Sequence, residues 1–188
     1  MQLGTTITDN NGDTRDRELL ELSVLAEIGQ LLTSALDIDA VYDRFAEITG
    51  RILPFDRIVI AEIDTDASTM TTTYESGVEV EAWGPGETRP MYGPLTQMAL
   101  ESGGAIIMDK ELADWVVTEY PEMQDILDAG LYSTLAVPIF SDEKPIAWFA
   151  INSTEEAAYT AEDGILAERI VTQIAGVIAN VLLRAELQ

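Results

Sequence analysis

The side chains that most often carry out nucleophilic or acid–base catalysis are missing from this chain. It contains neither cysteine nor histidine, which excludes disulfides, thiol catalysis and thiolate metal sites and removes the commonest metal ligand and general base. Carboxylates are abundant, but pairs such as Glu62/Asp64 and Glu155/Glu156 are expected by chance among 34 acidic residues and indicate a solvated surface. We therefore predict a protein that is not an enzyme and that holds no metal and no cofactor.

Aromatic side chains in the middle of the chain could instead line a pocket for a small molecule. Tryptophan and tyrosine offer an apolar face with a polar tip, and ligand pockets combine mostly apolar walls with a few polar groups. The predicted ligand-binding residues are Trp83, Trp115, Tyr120, Tyr132 and Thr134. The alternative is that these rings fill the core beneath the loops.

The loop around Gly84-Pro85-Gly86 carries one cation, Arg89. These glycines do not lead into a helix, so the loop lacks the pattern of a phosphate-binding loop. Arg89 could meet an anionic ligand, or it could pair with a neighbouring acid. Both interpretations remain open on the sequence.

The regular elements that must position these residues lie at the two ends of the chain. Residues 1–15 are predicted to be a disordered tail and residues 16–188 a single domain, with helical periodicity from Asp16 and again over 40–53. A final helix follows Thr160, with Asp163 at the third position of a capping box. Short helices are expected over 95–101 and 122–129, and strands over 57–64, 69–76, 105–108, 133–140 and 145–152.

Residues 77–130 contain most of the irregular backbone, which is where binding loops usually lie. In the strand over 133–140, Leu135 and Val137 suit a helix-covered face, leaving Tyr132 and Thr134 on the other face. The pattern predicts an α+β fold: a central antiparallel β-sheet with N- and C-terminal helices on one face and loops and short helices over the other. A pocket would form beneath those loops.

Four segments resemble the GAF family, in order and at the right spacing, over about residues 18–185. Residues 130–139, GLYSTLAVPI, are similar to the family's glycine, serine, apolar run and Val-Pro. Residues 146–152, IAWFAIN, follow, with Ala147 at a position where glycine is usual. The other two segments are the closing helix, with Tyr159 and Asp163, and residues 25–28, which resemble a helix that often precedes the domain.

The resemblance implies a PAS-related fold and a non-catalytic sensory or regulatory role, as in histidine kinases, cyclases, phosphodiesterases and transcription regulators. Such a domain binds a small molecule and passes the signal through its terminal helices to an output domain or partner, here in a two-component or related signalling system. The alternative is a dimerisation or protein-interaction module of the same fold that has no ligand.

Departures from the family pattern narrow the ligand class. Members that bind cyclic nucleotides carry an Asn-Lys pair and a later Asp-Glu, whereas Ser153 and Gly164 stand here in place of the lysine and glutamate. A bilin needs a cysteine, haem usually needs a histidine, and the family's free methionine sulfoxide reductases use cysteines. The resemblance therefore argues against all four assignments.

The net charge of −24 sets expectations about partners and location. Such a surface repels nucleic acid and anionic membranes, and no apolar stretch or leader pattern indicates a membrane span or a signal peptide. We expect a cytoplasmic protein. Eight arginines against two lysines, with 34 acids, fit a halophilic host, but also an ordinary acidic protein or an acidic segment of a longer chain.

The first helix carries two apolar stripes, and a helix that only covers its own domain needs one. The stripes are Leu22, Leu25, Gly29, Leu32 and Leu36, and Val24, Ile28, Leu31 and Ala35. We therefore predict a homodimer formed through the terminal helices, although both stripes could pack on the sheet instead.

Overall fold

A computed structural model describes residues 10–31, 38–91 and 93–185, and its strands form one antiparallel sheet in the order β3-β2-β1-β6-β5-β4. The strands are β1 (Arg57–Asp64), β2 (Thr69–Gly77), β3 (Thr88–Pro90), β4 (Ile106–Met108), β5 (Ser133–Ser141) and β6 (Lys144–Ser153). Five of them were predicted. The loop after Gly86 contains the unpredicted β3, whose three residues pair with the edge of β2.

In the described ranges, six α-helices surround the sheet. They are α1 (Asn10–Leu31), α2 (Ile38–Thr49), α3 (Pro94–Ser102), α4 (Lys110–Glu119), α5 (Gln124–Asp128) and α6 (Ala161–Ala185). Helix α1 is described from Asn10, so its helical span includes residues 10–15, ahead of the predicted start at Asp16. The boundary between tail and domain at residue 15 stays a prediction. The rest of the predicted tail, residues 1–9, and the stripe positions Leu32, Ala35 and Leu36 lie outside the described residues.

Helices α1, α2 and α6 cover one face of the sheet and enclose the main core, as predicted. Leu135 and Val137 of β5 are buried there. The rings of Phe45 and Phe149 meet edge-on, with centroids 5.8 Å apart, and join α2 to the centre of β6. Helices α2 and α6 therefore pack onto the strands, and α1 packs on α2 and α6.

Capping interactions explain where two of the helices begin. Asp163 Oδ2 accepts a hydrogen bond from Thr160 N (2.9 Å), and Thr160 Oγ1 accepts one from Asp163 N (3.3 Å), which confirms the predicted capping box of α6. Asp109 caps α4 by accepting from Leu112 N at 2.9 Å. Helix α4 was not predicted, and only Ala113 and Val116 of its ten residues are buried.

The second face of the sheet is roofed by α3, α4, α5 and two short 3₁₀ turns, Glu81–Trp83 and Pro121–Met123. Small apolar clusters hold these segments, such as Val80, Ile126 and Leu131 beside Trp83. Within the described part of the chain, no helix combines the length and apolarity that crossing a bilayer requires.

Candidate small-molecule pocket

The floor of a cavity is formed by the sheet face opposite the terminal helices. Cross-strand neighbours place Ala136, Ala150 and Val59 side by side, from β5 through β6 to β1. One step along, Ala61 pairs with Trp148. Alanine side chains extend little above the pleated sheet. The floor is therefore recessed at a place where larger side chains from these three strands would fill the space.

The roof segments close over this floor without filling it. Met108 of β4, Val116 of α4 and Ile126 of α5 form one side, and Met70 of β2 with Pro90 of β3 forms the other. The cavity has a volume of about 150 Å³. Since pockets for drug-sized ligands have volumes of roughly 300–1,000 Å³, this one suits a smaller molecule.

A chain of hydrogen bonds crosses the polar end of the floor. Asn152 Nδ2 donates to Thr134 Oγ1 (2.8 Å), and Asn152 Oδ1 accepts from Arg57 Nη1 (3.2 Å). Arg57 Nε donates to Glu75 Oε1 at 2.6 Å, and both side chains are almost fully buried. Burial lowers the pKa of Arg57 while the Glu75 carboxylate opposes that shift. The network fixes the polar groups that face the cavity.

A second arginine, Arg89, lines the cavity from β3. Its guanidinium carbon lies 3.9 Å from the centroid of the Trp83 ring, a stacked cation–π arrangement. Its Nη2 donates to Thr72 Oγ1 (2.7 Å), and Thr72 Oγ1 in turn donates to the Trp83 carbonyl (3.1 Å). The sequence left open whether Arg89 meets an anionic ligand or pairs with a neighbouring acid. The position of Arg89 favours a ligand contact, because the side chain lines the cavity and no described carboxylate forms an ion pair with it.

Three of the five predicted site residues line the cavity: Trp83, Tyr120 and Thr134. Trp115 does not, because it lies on the outward side of α4 and is 50% exposed. Tyr132 does not either. It precedes the first residue of β5, and its ring centroid lies 5.1 Å from Lys110 Nζ at the start of α4. The position of Trp115 follows from α4, which was not predicted, and that of Tyr132 from its place before β5, where the strand alternation does not apply.

Arg57 was missed as a site residue, and Asn152 was noted only through the family pattern. Arg57 begins a β-branched strand, and its partner Glu75 lies 18 positions away on another strand. One available signal was the alternation of Arg57, Val59 and Ala61, which places a cation and two small side chains on the same face. A charged side chain in such a buried strand indicates either a buried ion pair or a ligand-binding site.

The two faces of β6 provide a direct test of the cavity. Ala147 and Ala150 are both buried in the same strand, but Ala147 faces the helix-covered core and Ala150 the cavity. We expect Ala147→Leu to lower the free energy of unfolding by about 1–3 kcal/mol through overpacking. Ala150→Leu should leave it unchanged or raise it, since the added methyls bury apolar surface in open space. Urea unfolding of both variants measures the difference, and equal losses would show that the roof packs solidly on the sheet.

The cavity walls provide two guanidinium groups, three threonine hydroxyls, a tyrosine hydroxyl, an amide and the Glu122 carboxylate among mostly apolar side chains. No cluster of three or more aspartates or glutamates suited to a metal ion occurs among the described residues. The site can orient a small molecule by hydrogen bonds and enclose its apolar part.

Comparisons with known proteins agree with this architecture. The family model described as GAF domain matches residues 35–179. No functionally curated protein matches the chain. The phycoerythrobilin-bound GAF domain of a cyanobacterial phytochrome superposes with a TM-score of 0.69 at 18% identity, covering 89% of this chain and 99% of the other.

Two further structures show how widely the fold is used. The GAF domain of a two-component sensor histidine kinase from Bacillus halodurans gives a TM-score of 0.63 at 21% identity, covering 80% of this chain and 99% of that one. The free methionine-R-sulfoxide reductase from Neisseria meningitidis, in complex with its substrate, gives 0.65 at 17% identity and 95% coverage of both chains. At such identities the likeness establishes the fold alone.

The helix-backed antiparallel sheet with a roofed second face is the architecture of a GAF-type sensory domain. The chain belongs to the GAF domain family, since the family model covers most of its length. This confirms the resemblance and the fold class drawn from the sequence.

Proposed function

We propose that this domain is a non-catalytic sensor that binds a small molecule in the cavity and transmits the signal through α1 and α6 to an output domain or partner protein. A two-component or related signalling system is the proposed setting. The observation that carries the proposal is the cavity itself, with its alanine floor, its mostly apolar walls and its fixed polar groups.

The position of β4 supports a route from the cavity to the last helix. Ile106 and Met108 line the cavity, while Ile107, between them, packs against the helix-covered core. Ala105 N, just before β4, donates to Glu168 Oε1 of α6 at 2.7 Å. A ligand that displaces Ile106 or Met108 therefore acts on a strand tied directly to α6, which is what transmission between two sites requires.

The absence of particular residues bears on the ligand class. A covalently attached bilin does not fit, because the chain has no cysteine, and a cavity of about 150 Å³ is small for any tetrapyrrole. Of the positions that the cyclic-nucleotide pattern retains here, Asn152 is committed to Thr134 and Arg57, and Asp163 to the capping box with Thr160. The proposal is therefore a small metabolite and no resident cofactor.

A thermal-shift screen of a metabolite panel tests the proposed function. A ligand that binds only the folded state at a hundred times its dissociation constant adds about 2.7 kcal/mol of stability, which is a shift of several degrees. We expect one chemical class to raise the melting temperature of the wild type, and Ala150→Leu to lose that response. A panel without any response, measured on intact dimers, would contradict sensing and support the dimerisation module instead.

Exposed leucines on α1 support dimerisation through the terminal helices. Leu19 and Leu22 lie on one side of the helix and are 57% and 59% exposed, and Ile165 of α6 is 60% exposed. A salt bridge between Arg169 and Glu21 (3.5 Å) holds the two helices together within the protomer. The α1–α6 pair thus presents apolar side chains that no described part of the chain covers.

We expect the double variant Leu19→Glu/Leu22→Glu to shift a dimer to monomer at micromolar concentration, because it places four carboxylates in the proposed interface. Sedimentation velocity measures the change. Met98→Glu is the matched control, since Met98 is 56% exposed but lies on α3. If the double variant sediments as the control does, the proposed interface is wrong.

A further inference from the structure

Arg89 differs from the other arginines that pack into the fold. Arg44, Arg51, Arg57 and Arg169 each contact a glutamate carboxylate. In the described part of the chain, Arg89 has the Thr72 hydroxyl as its hydrogen-bond partner and the Trp83 ring as its stacking partner. Among the described residues, one of the five N–H donors of the guanidinium has an acceptor. In a chain with 34 acidic residues, an arginine that forms no ion pair with a described carboxylate is available for an external anion.

The surroundings of Arg89 oppose its positive charge. Burial, followed by the nearby Arg57 guanidinium, lowers the pKa of Arg89 to about 10, and the Glu87 and Glu75 carboxylates oppose that shift. The side chain is still protonated at neutral pH, because that value lies well above 7. A negative charge placed beside it would relieve both effects, since an opposite charge favours the ionised form and compensates for lost hydration.

The remaining wall restricts what can carry that negative charge. Met70, Pro90 and Trp148 are apolar neighbours within the cavity lining, so the body of the ligand must be apolar. Glu122 lines the same cavity from the Pro121–Met123 turn and disfavours a second negative charge. Arg57, the other cation, is already paired with Glu75.

We propose that the cavity binds a small monocarboxylate with an apolar or aromatic body, and that its carboxylate accepts hydrogen bonds from Arg89. Arginine is suited to this role because its planar fork matches a carboxylate. Stacking on Trp83 holds the guanidinium plane in place before the ligand arrives, which reduces the entropy lost on binding. This inference rests on the proposed sensor function and specifies the class of ligand.

Pairs of acids and their primary amides test the inference, because each pair has the same shape and differs in charge. The probes are isobutyrate, benzoate and phenylacetate, each with its amide, and inorganic phosphate as an anion without an apolar body. We expect at least one carboxylate to bind the wild type at least tenfold more tightly than its amide, measured by calorimetry, and phosphate not to bind.

Variants at Arg89 localise the effect. Arg89→Gln should lower the affinity for the carboxylate by tenfold or more and leave the affinity for the amide unchanged. Arg89→Lys, which keeps the charge, should retain part of the affinity for the carboxylate. Arg51→Gln is the matched control, because Arg51 pairs with Glu27 on the surface. Urea unfolding of each variant shows that it is folded.

Two results would overturn the inference. One is that no carboxylate binds more tightly than its amide, including the case in which none of the probes binds. The other is that Arg89→Gln leaves carboxylate affinity unchanged. The proposed sensor function fails separately: it survives if a neutral compound or polyanion in the metabolite panel stabilises the wild type but not Ala150→Leu, and it falls if no compound does.

Discussion

Arg57→Met is expected to lower the free energy of unfolding by about 3–5 kcal/mol, the usual cost of breaking a buried ion pair by removing one partner. Arg57 is 3% exposed, and its loss leaves the Glu75 carboxylate buried without a counter-charge. It also removes the donors to Asn152 Oδ1 and to the Trp83 carbonyl. Urea unfolding monitored by circular dichroism measures the loss.

Two variants separate the ion pair from the general effect of losing an arginine. Arg57→Met/Glu75→Leu should recover much of the loss, because a buried ion pair can often be exchanged for apolar side chains at little cost. Arg44→Met removes two surface ion pairs, with Glu27 and Glu47, and should cost far less than Arg57→Met because exposed pairs contribute little. A double variant that is no more stable than Arg57→Met would show that the Glu75 charge does not cause the loss.

Gly77→Ala is expected to destabilise the domain by about 3 kcal/mol or more, from backbone strain and a steric clash together. Gly77 has a φ of +98°, and an added Cβ would lie 2.0 Å from the carbonyl oxygen of Asp56. That oxygen accepts a hydrogen bond from Val78 N at 2.8 Å. Relief of the clash must therefore separate the end of β2 from the start of β1, next to Arg57 and the cavity floor.

Gly86→Ala provides the comparison for Gly77. Its φ is +91°, but no atom outside the adjacent residues lies within 4 Å of the added Cβ. This variant should cost only the strain of a positive φ, about 1–2 kcal/mol. Thermal unfolding of both variants isolates the clash, and equal losses would mean that Asp56 is not in close contact with Gly77.

The layers of the fold could be predicted because their patterns are local. The run RIVIAEID and the segments STLAVPIF and PIAWFAIN have strand length and β-branched composition, and each forms a strand. Thr160 and Asp163 are three residues apart, so the capping box of α6 is also visible in the sequence. Signals of this kind depend on neighbours along the chain and need no tertiary structure.

The candidate site could be predicted only in part, because tertiary contacts decide which side chains reach it. Trp83, Tyr120 and Thr134 line the cavity, but Trp115 faces away because α4 turns Ala113 and Val116 inward. Nothing local to Arg57 indicates that it pairs with Glu75. Similarly, the exposure of Arg89 to the cavity follows from a three-residue strand that was expected to be loop.

An amide NMR titration of the labelled wild-type domain with the compound that stabilises it most tests the central claim, that the space between sheet and roof is a ligand site. We predict that the largest shifts fall on cavity-facing positions of the sheet, such as Val59, Thr134 and Ala150, with smaller shifts along β4 and near Glu168. Ala150→Leu should abolish them. Shifts confined to the outer surface of α1 and α6, or shifts that persist unchanged in Ala150→Leu, would contradict the account.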